Sequence, residues 1–136
     1  MYAGGTCSGS TKNIPDWVID EYFLKFKAIS VREPDTYGYM RANIRLAALG
    51  ITYNIDPVFL IDRDEWESLA RKPDMDLDDD FDIQYNPHSK SKPGLGIELY
   101  MNPKVGPAEF LWMILNCRRF ITNSFHGVCF SVIFRK

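Results

Sequence analysis

Five consecutive residues near the C-terminal end, Asn123-Ser124-Phe125-His126-Gly127, set an imidazole among side chains suited to starting a helix. Asn and Ser are N-cap residue types, and the mostly apolar run 128–134 behind them suits a helix packed on a sheet. Arg119, Phe120, Ile121 and Thr122, just ahead, read as a short buried strand. A strand–turn–helix of this kind aims backbone N–H groups and the positive end of a helix at one point, which suits an anion. Histidine's unperturbed pKa lies near neutrality. Placed there, His126 would supply acid–base chemistry on a phosphorylated or carboxylated substrate. A lone histidine at a strand–helix junction also serves as a hydrogen-bonded structural residue, and these residues alone leave both readings open.

A second cluster is Ser30-Val31-Arg32-Glu33, where a strand hands an Arg-Glu pair to the following loop. An arginine at a strand end suits two-point capture of a carboxylate or phosphate. An internal ion pair with a nearby carboxylate is the equal alternative. Asp56-Pro57 reads as a turn, with Asp56 a weaker polar candidate, and His88 falls in a polar loop. Asp74, Asp76, Asp78, Asp79 and Asp80 form an acidic run that lacks the glycine and terminal glutamate of an EF-hand loop, so a solvated loop is expected and no metal site. Cys7, Cys117 and Cys129 are odd in number with no CxxC spacing, which indicates neither a disulfide framework nor a zinc site. Cys117 and Cys129 sit in apolar contexts and read as small buried hydrophobes.

Those residues need strands and helices to hold them. Apolar spacing predicts a helix over 17–26, a buried strand over 27–31, and a helix over 36–49 that Gly50 stops. A strand over 51–55 and a short amphipathic helix over 65–71 follow. Residues 72–95 read as acidic and then polar loop, 96–101 as a strand, and 107–117 as a helix opened by Pro107 and Glu109. Residues 1–13, rich in Gly, Ser and Thr, read as a loop. Strands alternating with helices imply an α/β fold with a parallel sheet, whose ligands bind at the carboxyl ends of the strands.

Bulk composition sets outer limits. The 136 residues suffice for one domain with a core, and 46% apolar with 25% charged residues is a globular balance. A formal net charge of −2 with dispersed Lys and Arg argues against a nucleic-acid partner. No apolar run approaches the roughly 20 residues of a membrane span, and the N-terminus lacks the pattern of a secretory signal. A cytoplasmic location is the default expectation.

Four segments, in order, carry a resemblance: Ala28-Ile-Ser-Val-Arg-Glu, Ile55-Asp-Pro-Val-Phe-Leu-Ile, Gly106-Pro-Ala-Glu-Phe-Leu, and Ile121-Thr-Asn-Ser-Phe-His-Gly-Val-Cys-Phe-Ser-Val-Ile-Phe. Together they resemble the polysaccharide pyruvyl transferase family. The resemblance implies two Rossmann-like domains facing a cleft, similar to GT-B glycosyltransferases, and transfer of a pyruvyl group from phosphoenolpyruvate to a sugar of a cell-surface glycan. It maps the family's histidine onto His126 and its arginine onto Arg32 as catalytic residues, with Asn123, Ser124, Gly127 and Glu33 around the substrate. Phosphoenolpyruvate is the donor substrate, a saccharide or lipid-linked glycan the acceptor, and no cofactor is implied.

Against the family pattern, an N-terminal domain is missing and 72–102 is short. The expectation is therefore a single partial α/β domain over 1–136, a fragment whose bare apolar surface favours self-association. Two alternatives stand beside the transferase: a GT-B-like glycosyltransferase using a nucleotide sugar, and a non-catalytic remnant of the family.

Overall fold

The computed structural model of the chain describes residues 14–89, 92 and 94–136. The loop expected over 1–13, with Cys7, and positions 90, 91 and 93 of the polar stretch lie outside the described residues. The chain divides into two compact units, Met1–Pro57 and Val58–Lys136, and each mixes helices with parallel strands.

The first unit runs α1 (Asp16–Glu21), a 3₁₀ turn (Phe23–Lys25), β1 (Ala28–Val31), α2 (Pro34–Ala42) and β2 (Gly50–Tyr53). Parallel neighbours need a crossover, and α2 supplies it. Ile29 pairs with Ile51 and Val31 with Tyr53, while Ile19, Ile29, Val31, Met40, Leu46 and Ile51 form the core. Two helices are shorter than the apolar spacing predicts. The expected 36–49 helix stops at Ala42, because Asn43 turns extended and its Oδ1 accepts the Arg45 N–H at 3.0 Å. That local asparagine turn competes with continued helix. In the 17–26 segment only Ile19 is fully buried, and Trp17 and Tyr22, both exposed, meet edge to face instead of lining a core.

The second unit runs α3 (Arg63–Ser68), β3 (Asp82–Tyr85), β4 (Ile97–Glu98), α4 (Pro107–Asn116), β5 (Arg119–Thr122) and α5 (Phe125–Phe134). Asp62 caps α3 by accepting the Glu65 N–H at 2.9 Å. Glu109 closes the start of α4 by accepting the Gly106 N–H at 3.0 Å, and its other oxygen takes Arg71 Nε at 2.7 Å. The sheet order is β4-β3-β5, all parallel, with Ile83 opposite both Ile97 and Phe120. Ile83, Met113 and Ile114 are fully buried, and the Trp66 ring meets Phe130 edge to face at 5.0 Å. Cys117 and Cys129 are both buried, as their apolar contexts imply. Among the described residues no helix is long and apolar enough to cross a membrane.

The central strand β3 is where the loop expected over 72–95 is wrong. Asp82-Ile83-Gln84-Tyr85 follows the aspartate run and carries one aliphatic residue, so its pattern reads as polar. Tertiary partners make it a strand. Arg118 and Arg119 both grip the Asp82 carboxylate, and the buried Gln84 donates Nε2 to the Lys92 carbonyl at 3.1 Å. The 96–101 strand shortens to two residues because Glu98 and Asn102 hold a turn after it and Gly96 enters it at φ +136°, against the β3 backbone. A Cβ there would lie 2.7 Å from the Asp82 carbonyl.

Gly96→Ala should therefore destabilise the protein by more than about 2 kcal/mol. Gly94→Ala, at φ +79° with open space around its Cβ site, should cost only about 1 kcal/mol. Urea unfolding measures both, and equal effects would refute the close approach. Arg118 and Arg119 hold the Asp82 carboxyl well below the usual carboxylate range. Its folded pKa being depressed, this stabilisation is present above about pH 4 and is lost as pH falls below it. Asp82→Asn should lower the urea midpoint at neutral pH and flatten its decline on acidification.

Candidate active site

The motif turn is built around one hydroxyl. Thr122 Oγ1, at the end of β5, donates to the Tyr85 carbonyl at 2.6 Å and accepts the Ser124 N–H at 3.0 Å. Ser124, buried, then caps α5 by accepting the Gly127 N–H at 3.3 Å. Asn123 extends sideways, its Nδ2 on Ser89 Oγ at 2.9 Å. A Cβ on Gly127 would lie 2.6 Å from Thr122 Oγ1 and 3.2 Å from the Phe120 ring, so only glycine lets the helix start this close to its strand. His126 stands at the second helical position, exposed, with its ring edge to face against Phe125 at 5.4 Å.

Ser124 and His126 line a cleft of about 440 Å³ together with Tyr85, Tyr100, Met101 and Phe110. It opens at the carboxyl ends of the strands, with Gly106 and Pro107 at the start of α4 on its wall as well. Strands β4 and β5 flank β3 on opposite sides, so the chain reverses its progress across the sheet here. Open parallel sheets place their ligands at such a reversal. The start of α5 gives the cleft a positive bias, whereas at the start of α4 the Glu109 carboxylate already takes the Gly106 N–H. Among the described residues on its wall there is no Lys, Arg, Asp or Glu. An anion entering it would meet the start of α5, the Ser124 hydroxyl and His126.

The loop on the far wall is held by its own hydrogen bonds. Glu98 Oε1 accepts the Tyr100 N–H at 2.7 Å, and Asn102 Nδ2 donates to the Glu98 carbonyl at 3.2 Å. Asn102 Oδ1 accepts the Lys104 N–H at 3.0 Å. Between them Met101 adopts φ +57° with 85% of its surface exposed. A left-handed conformation costs a non-glycine residue roughly 1–2 kcal/mol.

A second concavity of about 590 Å³, at the amino ends of the strands, is lined by Asp76, Asp78, Asp80, Asp82 and Arg118. Arg118 bonds Asp80 and Asp82, and the other aspartates of the run are exposed. Among the described residues no three His, Cys, Asp or Glu side chains gather to hold a metal ion.

Arg32 and Glu33 belong to the first unit, and Asn123, Ser124, His126 and Gly127 to the second. Arg32 follows β1, and its guanidinium is engaged from two sides. Nε donates to Glu33 Oε1 at 2.8 Å, and Nη1 pairs with Asp56, which is 5% exposed. Glu33 first and Asp56 next raise the arginine pKa, outweighing the opposing effect of burial. Asn54 locks the two strand ends together, with its N–H on the Val31 carbonyl at 2.9 Å and Nδ2 on Ser30 Oγ at 2.7 Å. The weak candidate Asp56 is thus the principal buried partner of Arg32, and one positive charge there faces two negative ones. His88 is exposed.

Thr122, Tyr85, Tyr100 and Met101 escaped the sequence reading. Tyr85 was hidden with β3. Thr122 had a signal, a hydroxyl two residues before the helix cap.

The family model for polysaccharide pyruvyl transferase matches residues 4–136. Comparison with curated proteins finds no match, and comparison with solved structures finds none either. The matched span contains the strand end with Arg32, the start of α4 and the capped turn with His126. With its histidine turn seated at the carboxyl ends of a parallel sheet, the chain belongs to the polysaccharide pyruvyl transferase family.

Proposed function

We propose that the chain carries the donor half of a pyruvyl transfer from phosphoenolpyruvate to a sugar of a cell-surface polysaccharide, with His126 as proton donor. The observation that supports this most directly is the placing of His126 and the Ser124 cap on a cleft whose described wall carries no carboxylate. The parallel strands with flanking helices are consistent with a Rossmann-like unit of the kind found in GT-B-like transferases.

Phosphoenolpyruvate is an enol phosphate with a carboxylate. In the proposed reaction a sugar hydroxyl adds to its central carbon while the methylene carbon takes a proton from His126, and the hydroxyl's own proton returns to the imidazole. The bond from the central carbon to the phosphate oxygen then breaks and inorganic phosphate leaves. A second hydroxyl attacks the same carbon and passes its proton to the released phosphate, closing a cyclic ketal that retains the carboxylate. The start of α5 stabilises the donor's anionic groups without contributing a proton. Arg32 would grip a donor anion only by exchanging the Glu33 carboxylate for it, since Asp56 holds its other side. Glu33 on this reading is the group the donor displaces.

His126→Asn should lower glycan-dependent phosphate release from phosphoenolpyruvate by about 100- to 10,000-fold, with donor affinity by calorimetry nearly unchanged. Full-rate release by that variant would end the catalytic assignment. Arg32→Lys keeps a cation beside Asp56 but loses the planar fork, so it should weaken phosphoenolpyruvate binding by about tenfold. Unchanged affinity would confine Arg32 to its ion pair.

A further inference from the structure

We infer that the loop after β4, through Tyr100 and Met101, is an acceptor-sugar platform on the wall of the His126 cleft, and that it positions one pyranose ring over the donor. This rests on the pyruvyl transfer reading for its donor but stands on separate residues.

The first observation is chemical. A small anion has no use for Tyr85, Tyr100, Met101 and Phe110, yet these line the same cleft as His126. A pyranose presents a face of C–H bonds that suits the negative face of an aromatic ring, and its hydroxyls suit a tyrosine's polar tip. The cleft, at about 440 Å³, lies within the range of small-ligand sites.

The second is the orientation of Tyr100. Its ring meets Tyr85 edge to face at 6.0 Å, and Tyr85 meets Phe110 at 4.9 Å on α4. Tyr100 is nevertheless 44% exposed, so one part is anchored while another faces solvent. The third is Met101. A left-handed methionine, largely exposed, contributes little packing to offset its strain. Glycine would suit that backbone better. A side chain kept in a conformation that disfavours it, on the wall of a candidate site, has its use outside the fold.

The test uses the full chain and saturation-transfer NMR with a panel of methyl hexopyranosides, alongside calorimetry with phosphoenolpyruvate. At least one glycoside should bind the wild type. Tyr100→Ala should weaken it by about five- to tenfold and Tyr100→Trp should restore it, with phosphoenolpyruvate affinity unchanged in both. Met101→Gly should lose glycoside affinity while keeping or raising the thermal midpoint. No glycoside binding by the wild type, or unaltered binding by Tyr100→Ala and Met101→Gly, overturns the platform. An equal loss of phosphoenolpyruvate affinity in Tyr100→Ala also overturns it, because the loop would then serve the donor. Glycoside binding without any phosphoenolpyruvate binding leaves the platform standing and removes the pyruvyl transfer reading.

Discussion

The Thr122 hydroxyl joins the strands, the turn and the helix that carry His126 to the second unit's cleft. It donates across to the end of β3 at Tyr85, accepts the N–H of the capping Ser124, and occupies the space a Cβ on Gly127 would need. One oxygen therefore sets the spacing of β3 and β5, the direction of the turn and the approach of α5. With the approach set, Ser124 can cap the helix and His126 is carried to the cleft wall. Changing Thr122 or Gly127 would move the histidine without touching it.

Charge is distributed to match. The amino ends of the strands collect the aspartates, and Arg118 and Arg119 answer them there. At the carboxyl ends the described cleft wall has no formal charge of either sign, apart from what His126 carries. Attraction for an anion there falls to the start of α5, which supplies partial positive charge without a mobile side chain. In the first unit the reverse holds, since Arg32 is a full cation already answered by Glu33 and Asp56.

Much of this was legible in residue order. Thr122-Asn123-Ser124 before an apolar run placed β5, the cap and α5, because capping chemistry is local. Pro107 and Glu109 placed α4 for the same reason. The central strand was not legible, because Asp82 and Gln84 are polar residues satisfied by partners distant in sequence. The cleft was lost with it, since Tyr85 joins Tyr100, Phe110 and Thr122 only when β3 lies between β4 and β5. In α2 the apolar spacing overran its end, because the Asn43 turn is a side-chain interaction that periodicity does not register. The pairing of Arg32 with Asp56 depends on two parallel strand ends coming side by side.

The central claim is that the donor binds where α5 begins. Amide NMR of the ¹⁵N-labelled chain titrated with phosphoenolpyruvate tests it without requiring turnover. The account predicts that the largest shifts fall on Ser124, Phe125, His126 and Gly127, with smaller ones at Tyr85 and Gly106, and none at Asp78 or Asp80. Shifts centred on the aspartate-lined end of the sheet, or saturable shifts that spare the turn from Asn123 to Gly127, would contradict it.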